Sequence, residues 1–459
     1  MSKDSMGAYK GTDRRTVLKA AGAGAAMASL AGCAGLVGED SESGSLTVGH
    51  IGPESNVLGA GSIRAANMAV DRVNSGDDLD EAGVLGEDVN LVTGDTQANP
   101  SEAQTVVEEL INQENVDVIV GAFASEVART VIDLTAEFDV PYISTGPADP
   151  RLSTNFVGND YEKNKHYFRA GPINSELQAQ GMRDYCVYLS DRHSWNSLTF
   201  YRDNAAWTDV YGNQLPGLLN EEGLTIEASE AVTIEEPDLQ PLVNETASSG
   251  ADYMLRFFAH ISNAPSQLLG PWLQGQLDFG VEGIHVPGMH PEYDIATEGI
   301  CLYETTSQTG AGGAAPITEN TLPFIEAYTD RFGSDGDLGT PDGSPMYMGF
   351  ATYDAILLLQ DVVNEVGSTD LSNNLDDYVD EMLSTEPGRI PEISGPIQFY
   401  GPDGDYPHDL KETRDADGSI TNFPVTQWQP NEEDRPGKFE CVFPGDFRTA
   451  DHIKAPWLS

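Results

Sequence analysis

From Leu46 onward the chain alternates between short apolar runs and stretches with helical spacing. That alternation leaves few folds open, because parallel strands need long crossovers and a helix is the usual one. Residues 46–51 are strand-like, and 61–74 carry Ile63, Ala66, Ala69, Val70 and Val73 on one helical face. Residues 89–93 read as the next strand and 100–113 as the next helix, with Asn99 as N-cap and Pro100 in the first helical position. Residues 116–120, 126–138 and 141–144 continue the series. The segment YFRAGP at 167–172 interrupts it, and a second series runs through strands at 197–201, 224–228, 253–258 and 283–286. Helices are expected between them at 175–189, 214–222, 238–249 and 265–276. The expected fold class is α/β, with two doubly wound lobes. Residues 300–459 hold too few strand–helix pairs for a third such unit. With helices at 321–332, 347–366 and 375–383 and Asp-Gly hairpins from 395 onward, this stretch is expected to serve both lobes, the chain crossing more than once.

The first 33 residues read as an address. Asp13-Arg14-Arg15-Thr16-Val17-Leu18-Lys19 resembles a twin-arginine export motif, with Val17 where the usual pattern has Phe. The small, apolar stretch from 20 to 32 is shorter than the ~20 residues a bilayer span needs. Leu30-Ala31-Gly32-Cys33 resembles a lipobox, which implies lipid attachment at Cys33 and a membrane anchor. Residues 34–45 are small, acidic and without periodicity, and read as a tether. Such a tether reaches about 20 Å on root-mean-square. The globular part is therefore expected outside the cell, close to the membrane.

Charge excludes whole classes of partner. Against 74 Asp and Glu stand 24 Lys and Arg, a formal charge of −50. A nucleic-acid surface needs clustered Arg and Lys, so no nucleic-acid partner is expected. At 39% hydrophobic the chain can still fill its cores. So many carboxylates repel one another in dilute buffer, whereas in about 1 M salt the screening length is roughly 3 Å. The composition reads as a halophilic, carboxylate-coated surface, with a merely very soluble acidic protein as the plainer reading. Three cysteines remain after Cys33: Cys186, Cys301 and Cys441. Export permits a Cys301–Cys441 bond, and buried thiols fit the sequence as well. Their spacing offers no zinc site.

Several catalytic patterns fail on inspection. Gly59-Ala60-Gly61-Ser62-Ile63-Arg64 starts like a dinucleotide turn but has Arg64 where Gly or Ala belongs. Ser125 lacks the flanking glycines of a nucleophile elbow. Asp335-Gly336-Asp337 resembles a calcium-loop fragment with no acid at the required distance. No phosphate loop or H-E-x-x-H occurs, so neither cofactor nor metal is expected and the chain does not read as an enzyme. What remains is recognition. In parallel sheets ligands sit outside the carboxyl ends of strands, where helix N-termini point. Ser125, in the turn after 116–120, and the turn Gly146-Pro147-Ala148 stand there. Ser125 can serve a ligand, a helix cap, or both.

These residues sit in stretches that carry a family resemblance. LTVGHIGPESNVLGAGSIRAANMAVDRVN, the run from NLVTGDTQANP through VDVIVGAFASEVARTVIDLTAEFDVPYIST, YFRAGPINSELQAQGMRDY and GPIQFYGPDGDY are similar to the leucine/isoleucine/valine-binding proteins. Those are the solute receptors of branched-chain amino-acid ABC transporters, within the type I periplasmic binding proteins. The likeness runs from Leu46 to about Gly404.

The resemblance implies two lobes joined by a three-crossing hinge, near 169–172, 306–310 and 391–395, with 46–169 plus 309–392 in one lobe and 170–308 plus 393–459 in the other. It implies an amino-acid or related solute, bound at Ser125 and at Gly146, Pro147 and Ala148, under a loop carrying Leu58. Tyr211, with Trp207 nearby, is expected to close over the ligand, and Phe258 and His260 to widen the cleft with aromatic surface; lobe core is the other reading of all four. Two departures stand out. Ala148 replaces a frequent hydroxyl, and Met289 or His290, with Glu292 near, stands where amino-acid binders place an acid for the ammonium. A buried ammonium without a partner costs several kcal/mol, which keeps amides, urea and aromatic acids open as ligands. The implied partners are the permease and ATPase of an ABC importer. A sensory module on the same scaffold is the rival reading.

Overall fold

The apolar runs become strands β1 (Thr47–Gly52), β2 (Asn90–Asp95), β3 (Val118–Gly121), β4 (Tyr142–Ser144) and β5 (Tyr167–Arg169), all parallel, in the order β2-β1-β3-β4-β5. A second parallel sheet holds β6 (Ser197–Asp203), β7 (Thr225–Val232), β8 (Tyr253–Phe258) and β9 (Gly280–His285) in the order β7-β6-β8-β9. The computed structural model describes residues 44–458 apart from 236, 308–314, 334–343 and 432–434. The export address with Cys33, the tether up to residue 43, Asp335-Gly336-Asp337 and most of the expected crossing at 306–310 lie outside the described residues.

Burial follows strand position. β3 and β8, with neighbours on both sides and helices on both faces, are buried along their whole length, as continuous apolar runs in parallel sheets should be. Arg256 interrupts the run in β8 and is buried against Glu304 and the Glu282 carbonyl. The edge strands β2 and β7 keep polar residues outward, among them Asn90, Glu227 and Glu230, which discourages pairing with other chains. In each sheet the order reverses once: β1 lies between β2 and β3, and β6 between β7 and β8. A crevice opens at such a switch point.

The helices start where the sequence places caps. Asn56 accepts from the Leu58 N–H (2.9 Å) at the head of helix Val57–Ser75, and Asn99 from the Ser101 N–H (2.8 Å) before Pro100–Asn112. Helix Tyr347–Val366, almost wholly buried, packs on Val57–Ser75. A buried chain of hydroxyls joins them, Ser62 to Thr352 (2.9 Å) and Thr352 to Thr145 (2.9 Å).

Three expectations shift. The hairpins from 395 onward reduce to lone antiparallel bridges, Phe399 to Leu410 and Arg414 to Ile420. Asp403-Gly404 and Asp417-Gly418 close turns without strands to flank them. The antiparallel sheet is instead β10 (Thr305–Ser307), β11 (Val425–Pro430) and β12 (Gly437–Phe443). The strand expected at 283–286 is β9 and begins at Gly280, because glycines at 280 and 283 hide the apolar run. Helix 265–276 divides into a π-type turn, Pro265–Leu269, and the short helix Gly270–Gly275. Cys186, Cys301 and Cys441 are buried free thiols.

Candidate functional site

The first wall is built from the ends of β3 and β4. Gly121 leaves β3 with φ 122°, and a Cβ there would lie 2.1 Å from the Ile51 carbonyl. The chain can therefore turn sharply into Phe123-Ala124-Ser125 and start helix Ser125–Glu137. Ala124 is the N-cap residue and supplies no side-chain bond, so Ser125 is the first helical residue and not the cap. The first-turn N–H groups keep their capacity for an acceptor. The Asp149 N–H donates to the Ser125 hydroxyl at 3.3 Å, joining this turn to the one after β4. Gly146 packs on that turn, and a Cβ on it would lie 2.4 Å from the Ala122 carbonyl.

Arg169, at the end of β5, fixes the second turn from behind. Its guanidinium donates to the Pro147 and Asp149 carbonyls and pairs with Asp409, and both side chains are fully buried. The Asp149 carboxylate, itself buried, is held by Arg129 and by Arg151 at 2.8 Å.

The second wall repeats the device with different residues. Asp203, buried at the end of β6, accepts from the Ala259 N–H (2.8 Å) and the His260 N–H (2.9 Å) after β8. Burial pushes its carboxyl above the ordinary range, and His260, the two N–H groups and the Trp207 indole pull it back. Trp207 stands on a 3-10 turn, Ala206–Thr208, packed edge-on against Tyr211.

Between the walls lies a cavity of ≈ 40 Å³. With about 30 Å³ as one water's share of the liquid, that is room for about one solvent molecule. Ser125, Gly146 and Ala148 line it from one side, and Trp207, His260 and Met289 from the other. The rings of Phe123 and His260 meet across the mouth, with centroids 5.5 Å apart. Beyond them a groove of ≈ 640 Å³ opens, where Leu58 and His290 stand. Burial and then Arg435 lower His290 to about 4, so its imidazole is neutral near pH 7. Pro147 and Tyr211 lie one layer behind the lining. The carbonyl of Pro147 belongs to Arg169, and the Tyr211 hydroxyl donates to Gln178 at 2.5 Å. Phe258 is in the core of the second sheet.

Sequence reasoning passed over Phe123, Gln178 and Tyr347, which also line the cavity. Phe123 sat inside the turn already singled out and could have been found. Gln178 lies in the first turn after the Asn174 cap, a position with a local signal. Tyr347, whose hydroxyl donates to the Gly146 carbonyl at 3.2 Å, arrives from two hundred residues away and has none.

Known proteins bear on this architecture. The family model for periplasmic binding proteins matches residues 45–414. Leu/Ile/Val-binding protein homolog 7 of Brucella suis is 26% identical over 224 residues, 48% of this chain and 54% of that protein, so the match spans about half the relative's length. The substrate-binding protein of a branched-chain amino acid transporter from Streptococcus pneumoniae, solved with isoleucine, superposes with TM-score 0.65 at 16% identity, over 87% of this chain and 100% of the other. The solute binding protein of an ABC transporter from Rhodopseudomonas palustris, solved with 3,4-dihydroxybenzoic acid, gives TM-score 0.65 at 17% identity, over 90% and 98%. With two lobes built on parallel sheets, two facing switch points and a family match over most of its length, the chain belongs to the periplasmic binding proteins.

Proposed function

We propose that this protein is the extracytoplasmic solute-binding component of an ABC importer, exported through its twin-arginine segment and held at the membrane by lipid on Cys33. It captures a small carboxylate-bearing solute, an amino acid or a related acid, by closing two lobes, and hands it unaltered to a permease. One observation carries the reading: the switch points of both parallel sheets open onto the same cavity, with Ser125 on one side and Trp207 and His260 on the other. The uncapped first turn at Ser125 suits an anion. The ligands of the two solved relatives, isoleucine and 3,4-dihydroxybenzoic acid, share a carboxyl group on an apolar body.

The test is a thermal-shift screen in molar salt against amino acids, carboxylic acids, amides and urea. An acid or amino acid is expected to raise the melting temperature. Ser125→Ala is expected to weaken that ligand by about 1–3 kcal/mol with little change in the unliganded midpoint. Unchanged affinity with a lower midpoint would give Ser125 a purely structural role.

A further inference from the structure

We propose that the cleft selects carboxylic acids with an apolar body and no α-ammonium, and that Met289 is the residue that sets this preference. The proposal rests on the solute-receptor reading and names the class of solute.

The carboxylates around the cavity carry the argument. Among the described residues, none of those lining the inner cavity is Asp or Glu. Asp203 lies beneath the second wall, its Oδ2 accepting from the Ala259 and His260 N–H groups and its other oxygen buried beside the Trp207 indole. Met289, only 5% exposed, fills the lining beside Val286 with a thioether that cannot carry charge. An ammonium brought into this space would lose its water and find no anion in the lining. A carboxylate fares differently, because Ser125 and the uncapped helix turn supply donors.

The shape gives the rest of the ligand. The inner cavity, at ≈ 40 Å³, holds a head group and little more. Phe123, Ala259 and Val286 line both it and the ≈ 640 Å³ groove outside, so the two spaces adjoin, with the Phe123 and His260 rings between them. The groove presents Val57, Leu58, Pro287, Tyr293 and Met346. Its acid, Glu292, and its imidazole, His290, belong to this outer space, away from the head. An acid with its carboxylate at Ser125 and its body past the Phe123 ring would lie against apolar surface in both spaces.

Matched pairs isolate the ammonium. Leucine and 4-methylpentanoate differ only by that group, as do phenylalanine and 3-phenylpropanoate. Titration calorimetry of the full chain in 2 M KCl should show each acid binding at least tenfold tighter than its amino acid. Met289→Glu should reverse the order, gaining at least tenfold for leucine and losing for 4-methylpentanoate. If leucine binds the wild-type protein as tightly as 4-methylpentanoate, or better, the proposal is overturned and the receptor reading stands. Binding of amides or urea with neither acids nor amino acids would do the same. If no member of the panel binds, both fall. If Met289→Glu does not fold, the wild-type ratio alone decides.

Discussion

Arg169 shows how one buried side chain can shape a site it never touches. It neutralises Asp409, which also receives the Asn174 amide at 3.0 Å, and it draws back the Pro147 and Asp149 carbonyls. The two tasks can be separated. Arg169→Met leaves the buried Asp409 without a counter-ion and takes one donor from each of the two carbonyls, and breaking such a pair typically costs about 3–5 kcal/mol. Adding Asp409→Leu removes the stranded charge, so denaturant midpoints in molar salt should recover in the double variant. Ligand affinity should not recover, because the turn still lacks the guanidinium that ties the Pro147 and Asp149 carbonyls together. A double variant that binds like the wild type would confine Arg169 to charge pairing.

At the scale of elements, Asp354 joins helix Tyr347–Val366 to the segment that follows helix Leu375–Leu383. Its carboxylate accepts from the Ile393 N–H (2.9 Å), the Ser394 N–H (2.8 Å) and the Ser394 hydroxyl. Burial nevertheless dominates and pushes the carboxyl up to about 7, with Ser394 and the two N–H groups opposing. An acid whose folded value lies above its unfolded one favours folding most when protonated in both states. That contribution is full below about pH 4 and is lost as pH rises toward 7. The melting temperature of the wild type relative to Asp354→Asn should therefore fall between pH 4.5 and 7 and level off above. A difference that stays flat over that window would place the carboxyl in its ordinary range. The alternation of runs and helical stretches made these elements visible in the sequence, and Asn99-Pro100 marked a helix start to the residue. Local pattern reached its limit where pairing is long-range. β11 meets β10 across more than a hundred residues, and nothing near Val425 announces that partner. The site divides the same way. Ser125 and Gly146 follow from the strand-end rule, whereas Tyr347 depends on a helix docking from far along the chain.

Across the whole molecule, a chain with formal charge −50 must bring two acidic lobes together around its cleft. Few direct polar contacts cross between the walls. The Arg151 guanidinium reaches Asp209 at 2.9 Å, and Glu126 accepts from the Ala206 N–H at 3.0 Å. The Arg151–Asp209 pair is more than a third exposed on both sides, so its worth is at most about 1 kcal/mol and salt screens it. Repulsion between the lobes is screened by the same salt, since the screening length falls from about 10 Å at 0.1 M to about 3 Å at 1 M. Closure should thus depend on salt in two opposed ways, with repulsion summed over many carboxylates outweighing one attractive pair. The affinity for the best ligand is expected to rise from 0.1 M to 2 M KCl. Asp209→Asn, which leaves Asp149 its two arginines, should weaken binding by up to about fivefold in 0.1 M salt, the upper end of an exposed pair. In 2 M salt the same variant should differ from wild type by less than about twofold. Calorimetric titration at the two salt concentrations reads both effects. An equal loss at both would mean that Asp209 acts through geometry and not through charge, and affinity that falls with salt would mean that attraction across the cleft, not repulsion between lobes, governs closure.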